Sequence, residues 1–245
     1  MSDLVLSIFP GMGLLDRAFE EEGFTVVRGP DLLWGGNIKL FHPPAGRFDG
    51  IIGGPPCQVF SQMIHIIRHM GYREGENLIP EFERVVAEAQ PGWFVMENVE
   101  PAPLPCIEGY ALDPSLFNNR WIGGEESRLH RFTFGSRDGR RLDYSPDVTV
   151  FENWRWAPRV MASGMTVLNS REAEAKRDKQ HRLKQQGYVT REGLRRSCEL
   201  QGLPRDFFDH SPFTVKEAVR MVGNAVPLPM GLALARAVKC ALMQK

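Results

Sequence analysis

The stretch Leu4-Val-Leu-Ser-Ile-Phe-Pro-Gly-Met-Gly13 decides how the chain is read. Leu4 to Phe9 is an apolar run too short for a helix, and Pro10-Gly-Met-Gly13 follows at once. A short apolar run ending in a glycine turn has the pattern of a parallel strand buried on both faces. Leu14 to Glu22 then sets Leu14, Leu15, Ala18 and Phe19 on one side and acidic residues on the other, which predicts an amphipathic helix ended by Gly23. Outward from there, Phe24 to Val27 reads as a second strand, and Phe48 to Ile52 as a third that again runs into glycine and proline. Leu78 to Gln90 is helical by spacing and stops before Pro91, and Trp93 to Met96 is a further strand with Glu97-Asn98 at its carboxyl end. Strands alternating with helices predict an α/β fold, a mostly parallel sheet with helices on both faces. In such sheets ligands gather outside the carboxyl ends of the strands, where these glycine turns and polar residues fall.

The chain has 245 residues, room for one large domain or one domain with an insert. Its 42% hydrophobic and 24% charged residues exclude a wholly disordered chain. No basic leader opens the sequence, and the longest apolar candidate, near the C-terminus, is interrupted by Arg236 and Lys239. The expectation is therefore a protein without signal peptide or membrane span, reduced and cytoplasmic. Cys57, Cys106, Cys198 and Cys240 form no Cys-x-x-Cys pair and the six histidines show no ligand spacing, so no metal is expected.

The zero net charge hides an asymmetry: residues 1–110 carry 7 Lys/Arg and 15 Asp/Glu, and residues 111–245 carry 23 and 15. A basic half can neutralise phosphates, although solvated helix faces read the same way. From about 136 to 186 the pattern changes, and arginines interleave with aromatics in Phe151-Glu-Asn-Trp-Arg-Trp156. Ser170 caps a predicted helix in this segment, which reads as an insert or small second lobe.

Three places carry chemistry. The Phe9-Pro-Gly-Met-Gly13 turn lets backbone approach a ligand, but Asp16 stands where a dinucleotide fingerprint needs its third glycine. Cys57 follows Gly53-Gly-Pro-Pro56 on a stiff loop, as suits a nucleophile and equally a structural cysteine. Glu97 ends a strong strand, where partial burial raises a carboxyl's pKa toward that of a proton donor, or where it serves as a cap or salt-bridge partner.

Taken together, Phe9-Pro-Gly-Met-Gly13, Gly54-Pro-Pro-Cys-Gln-Val-Phe-Ser61, Glu97-Asn-Val99, Arg131, Arg196-Ser-Cys-Glu-Leu-Gln-Gly-Leu-Pro204 and Gly223-Asn-Ala-Val-Pro227 resemble the ordered motifs of the DNA cytosine-5 methyltransferases. The resemblance covers roughly residues 4–135 and 187–242. It implies the Rossmann-like fold of S-adenosylmethionine-dependent methyltransferases, S-adenosyl-L-methionine as donor (S-adenosyl-L-homocysteine as product), and a cytosine flipped out of double-stranded DNA. By the same resemblance Cys57 is the nucleophile, Glu97 the acid at ring nitrogen 3, Asn98 the residue that holds that loop, and Arg131 an arginine facing the base. Phe9, Gly11, Met12, Gly13, Pro55, Asn224 and Val226 would line the donor pocket. Asp31 would take the ribose hydroxyls, with Asn37 and Ile38 beside the adenine.

Contacts to DNA would come from Gln58, Ser61, Arg128, Arg155 and Arg159, with residues 1–135 and 187–245 as the catalytic domain and 136–186 as a short target-recognition region. The family's Gln-x-Arg-x-Arg motif stands here as Ser127-Arg-Leu-His-Arg131, a departure at its first positions. An RNA cytosine methyltransferase is one alternative, though its usual Cys-Phe-Thr signature is missing; a silent DNA-binding relative is another, though Cys57 and Glu97 are both kept. The expected setting is a prokaryotic or phage-like cytoplasm, with the protein a monomer and a cognate restriction endonuclease a further partner.

Overall fold

The computed structural model describes residues 3–60, 75–144 and 190–244. The chain divides into two compact units, one of Met1–Phe117, Leu129–Ser145 and Leu232–Lys245, the other of Asn118–Arg128 and Pro146–Gly231.

The first unit is built on a six-stranded sheet: β1 (Leu4–Ile8), β2 (Thr25–Arg28), β3 (Gly50–Gly53), β4 (Trp93–Asn98), β5 (Ala111–Asn118) and β6 (Leu129–Ser136), in the spatial order β2-β1-β3-β4-β6-β5. The first four strands are parallel, and β6 runs antiparallel to β4. The expected α/β sheet is thus present, with β5 and β6 as strands that composition did not announce. From β1 the chain crosses to β2 on one side, and β3 lies on the other. The order reverses between β1 and β3, which opens a crevice beyond their carboxyl ends.

Side-chain alternation assigns each face its helix. Leu6, Ile8, Ile51, Phe94 and Met96 pack with Ile79, Phe82, Val85, Val86 and Ala89 of α2 (Ile79–Ala89). On the opposite face Phe19 of α1 (Leu14–Glu21) stacks on Trp93, and Phe24 meets both rings. Burying each such ring stabilises the fold by about 1.5–3 kcal/mol, so the two faces hold the strand ends rigidly. One expectation is corrected here: Asp16 is not on a solvated face of α1 but fully buried, while Leu15 is only half-buried. The reason is local pairing, since Ser7 Oγ donates to Asp16 Oδ1 at 2.5 Å and Arg28 Nε lies 3.0 Å from Oδ2. Burial pushes the Asp16 carboxyl above the usual range, against the pull of Ser7 and Arg28.

The second unit contains α3 (Arg191–Leu200) and α4 (Val215–Asn224). Thr190 caps the first by accepting from the Gly193 amide, and Thr214 with Glu217 forms a reciprocal cap on the second. Beneath them Gln201 Nε2 donates to the buried Glu126 at 2.9 Å. After α4 the chain breaks and restarts as α5 (Leu228–Met243). Val215–Met243 is the one described stretch long and apolar enough to cross a membrane; 56% of its most apolar window is buried, as in the core helix of a globular fold.

Candidate active site

The turn after β1 is shaped by backbone conformation. Phe9, Gly11 and Gly13 have φ values of 56°, 57° and 80°, all left-handed. Glycine takes such angles without penalty, and space is open where a Cβ on Gly11 would sit. Asp31, at the start of the segment after β2, is the carboxylate that ties this turn down: Gly11 N donates to Oδ2 at 2.9 Å and Leu33 N to Oδ1 at 2.7 Å. Trp34 Nε1 closes the arrangement by donating to Gly11 O at 2.8 Å. A carboxylate has about four acceptor sites, so two backbone amides leave Asp31 capacity for a ligand hydroxyl. Met12, within the turn, is half-buried. Asn37 uses its Oδ1 to accept from Lys39 N at 3.1 Å, and Ile38 is buried in the core against α2.

Glu97 and Asn98, the last residues of β4, point to opposite faces of the sheet, and both engage the loop that leaves β3. Asn98 Nδ2 donates to Pro55 O at 3.1 Å and is almost wholly buried. Glu97 lies against Gly54 so closely that a Cβ there would meet its Oε2 at 2.7 Å. The Gly54-Pro-Pro-Cys57 loop is therefore held from both sides, with Pro55 buried and Cys57 half-buried. Phe60 N donates to Cys57 O at 3.0 Å and turns the chain directly after the thiol. Gln58 is exposed on this turn.

Strand β6 decides which side chains join Glu97. The register pairs Glu97 with Phe132 and Asn98 with Arg131. Arg131 thus belongs to the Asn98 face, where its guanidinium donates to the carbonyls of Glu100 (2.8 Å), Ala102 and Pro103 (3.1 Å). Burial draws its pKa down, and these carbonyls occupy it in holding the segment after β4. The neighbouring His130, on the Glu97 face, hydrogen-bonds Glu97 Oε1 through Nδ1, with both side chains largely buried. The family resemblance pointed to Arg131 and passed over His130. The signal that finds it is Phe132-Thr-Phe134, whose alternation marks a strand and puts His130 on the aromatic side.

Arg128, Asn224 and Val226 belong to the second unit. Arg128, expected at DNA, is buried and donates from Nη2 to Gly223 O at 2.9 Å, beside the exposed Asn224 that ends α4. Val226 is buried. Ser61, Arg155, Arg159, Trp154, Trp156 and the helix expected after Ser170 lie outside the described residues. Among the described residues no group of three His, Cys, Asp or Glu has the arrangement of a metal site. Of the other cysteines, Cys198 is buried in α3 and its thiol is pushed up to about 11 by that burial, which makes it a poor nucleophile.

The first unit therefore gathers a half-buried thiol on a rigid loop, a carboxyl group with a bonded imidazole, and an open backbone turn with its own carboxylate, at adjacent strand ends. Residues 36–102, which include Cys57, Glu97 and Asn98, match the family model described as C-5 cytosine-specific DNA methylase. The chain is 44% identical over 127 residues to the Type II methyltransferase M.HgiGI of Herpetosiphon aurantiacus, a match covering 43% of this chain and 98% of that protein. It is 30% identical over 169 residues to the Type II methyltransferase M.HgiDI of the same organism, covering 56% of this chain and 53% of the relative. It spans about half the length of the first curated relatives it matches, 53% and 50%. Among solved structures, the Entamoeba histolytica methyltransferase EhMeth superposes with a TM-score of 0.62 at 11% identity, covering 100% of both chains. A putative DNA modification methyltransferase encoded in an Escherichia coli prophage superposes with a TM-score of 0.59 at 18% identity, covering 98% and 99%.

Proposed function

Because the chain belongs to the C-5 cytosine-specific DNA methylase family, we propose that it transfers a methyl group from S-adenosyl-L-methionine to carbon 5 of cytosine in double-stranded DNA. The observation that carries this reading is the Gly54–Cys57 loop held by Glu97 on one side and by Asn98 on the other.

Carbon 5 of cytosine is a weak nucleophile, and the pyrimidine must first be activated. In this reading the Cys57 thiolate forms a bond to carbon 6 of a flipped-out base. The electron pair displaced from the carbon 5–carbon 6 double bond is stabilised by a proton or hydrogen bond that Glu97 delivers at ring nitrogen 3. Asn98 fixes the distance between acid and thiol by holding the Pro55 carbonyl. Carbon 5 then takes the methyl group, its proton passes to a solvent water, the sulfur–carbon 6 bond breaks to restore the aromatic ring and the thiolate, and ring nitrogen 3 returns its proton to Glu97.

The donor supplies an electrophilic methyl on a sulfonium. The residues at the β1 turn suit it: left-handed backbone at Phe9, Gly11 and Gly13 leaves open space over Gly11. The amino end of α1 favours the donor's carboxylate, and Asp31, whose two oxygens retain acceptor capacity beyond the two amides, would accept from ribose hydroxyls. Asn37 and Ile38 would serve the adenine, and Asn224 and Val226 keep the donor role that the resemblance implies for the last motif. We assign target choice to residues 136–186 with Gln58, Ser61, Arg155 and Arg159 as DNA contacts, while the buried Arg128 holds the Gly223 carbonyl instead; a chimera carrying a relative's segment should methylate the relative's sequence.

The test of the whole reading is bisulfite sequencing of DNA from cells that express the chain, beside cells that express Cys57→Ala. Conversion-resistant cytosines that depend on Cys57 support it. Identical maps would sink it.

A further inference from the structure

The hydrogen bond between His130 and Glu97 is an arrangement the proposed chemistry does not yet use. Glu97 has two oxygens with different surroundings. Oε1 meets His130 Nδ1, and Oε2 lies over Gly54 at the root of the Cys57 loop. A carboxylic acid that donates to a ring nitrogen has to carry its proton on the oxygen facing that nitrogen. If either oxygen can hold it, half of the orientations are unproductive.

From this geometry we infer that His130 is a positioning residue for Glu97: its Nδ1–H donates to Oε1 and thereby assigns the transferable proton to Oε2, on the Cys57 side. The inference rests on the reading of Glu97 as the acid. A hydrogen bond donated to Oε1 favours that oxygen as the carbonyl-like acceptor and leaves the hydroxyl on Oε2. The bond also fixes the carboxyl rotamer, which Gly54 alone does not, because a glycine limits approach from one side only. The strand register enforces the pairing. His130 and Phe132 share the Glu97 face, and their rings stack at 6.5 Å, so the imidazole is held in plane by a fully buried aromatic. Arg131, one residue on, is turned to the other face and cannot substitute. At ring nitrogen 3 the proton count closes on Glu97, which gives one proton and regains it, while His130 keeps its Nδ1 proton throughout.

Two measurements on the full chain test this. The first is single-turnover methylation of unmethylated bacteriophage DNA with radiolabelled S-adenosylmethionine. His130→Ala should slow the chemical step by about 100-fold, the cost of a misplaced catalytic group, while the KM for DNA and the Kd for the donor stay within about twofold. His130→Asn, whose amide nitrogen falls near the position of Nδ1, should recover at least about tenfold of that loss. An Ala variant as fast as the wild type, a loss confined to KM, or an Asn variant no better than Ala overturns the inference.

The second measurement needs no activity: nitrogen-15 NMR of the wild-type imidazoles, six in the chain, with the His130 signal assigned by its loss in His130→Asn. A proton on Nδ1 is expected, and a bare Nδ1 overturns the inference. A wild type that methylates no DNA while showing Nδ1–H would instead defeat the transferase reading and leave the hydrogen bond supported.

Discussion

At the carboxyl end of β1 the chain is shaped by its backbone: three left-handed residues, an open space over Gly11, and one carboxylate that accepts from two main-chain amides. At the ends of β3 and β4, on the same sheet edge, side chains do the shaping. There Glu97 leans on Gly54, Asn98 holds Pro55, and His130 holds Glu97. The difference follows from the two tasks. A cradle for a donor presents amides and carbonyls, which every residue has, so it is specified by conformation. Bond-making needs a thiol and an acid with particular proton affinities, and only particular side chains supply them.

The comparison can be broken most sharply at Cys57. Cys57→Ala should abolish methyl transfer and the trapping of DNA that contains 5-fluorocytosine, yet leave donor binding by calorimetry unchanged, because the thiol takes no part in the β1 turn. A variant that loses both would show that the two ends are one structural unit. Glu97→Gln should follow, with transfer slowed by about 10²–10⁴-fold in a single-turnover assay. Gly54→Ala sharpens the same point through geometry alone: the added Cβ would stand 2.7 Å from Glu97 Oε2 and push the acid away. A displacement of this kind costs about 100-fold in rate, and donor affinity should again hold.

The opposite signature is expected at the other end. Asp31→Ala leaves the Gly11 and Leu33 amides without their acceptor and should weaken donor binding by about 1–3 kcal/mol, read by calorimetry. Its effect on the rate at saturating donor should be small. If Asp31→Ala slows the saturated rate as much as Glu97→Gln does, the division between the two ends fails.

The smallest effect concerns stability beneath the β1 turn. Burial raises the Asp16 carboxyl above its unfolded value, so the folded chain binds that proton more tightly than the unfolded chain. The group's contribution is fully present below the unfolded pKa and is lost as the pH rises through the folded one. Asp16→Asn should therefore flatten the part of the Tm-against-pH curve that falls from acid toward neutral pH, as followed by thermal melts. An unaltered slope would mean that another group carries it.

How much of this was legible beforehand depends on distance along the chain. The parallel strands, α1 and α2, the turn at Phe9–Gly13 and the strand ends bearing Cys57 and Glu97 all follow from local pattern. Short apolar runs cut by glycine and proline leave the backbone few alternatives, and residues at strand ends stay at strand ends whatever packs around them. The sequence by itself therefore determined the α/β class and the position of the thiol and the acid on one sheet edge. Tertiary structure decided the rest. Asp16 looked like a solvated helix residue, and it is buried because Ser7 and Arg28, from the two neighbouring strands, reach it. Arg131 and His130 differ by one position, and one position in a strand is a change of face. Which of them meets Glu97 depends on the register of β6 against β4, set by packing between residues more than thirty apart, and no local pattern around Arg131 encodes that register.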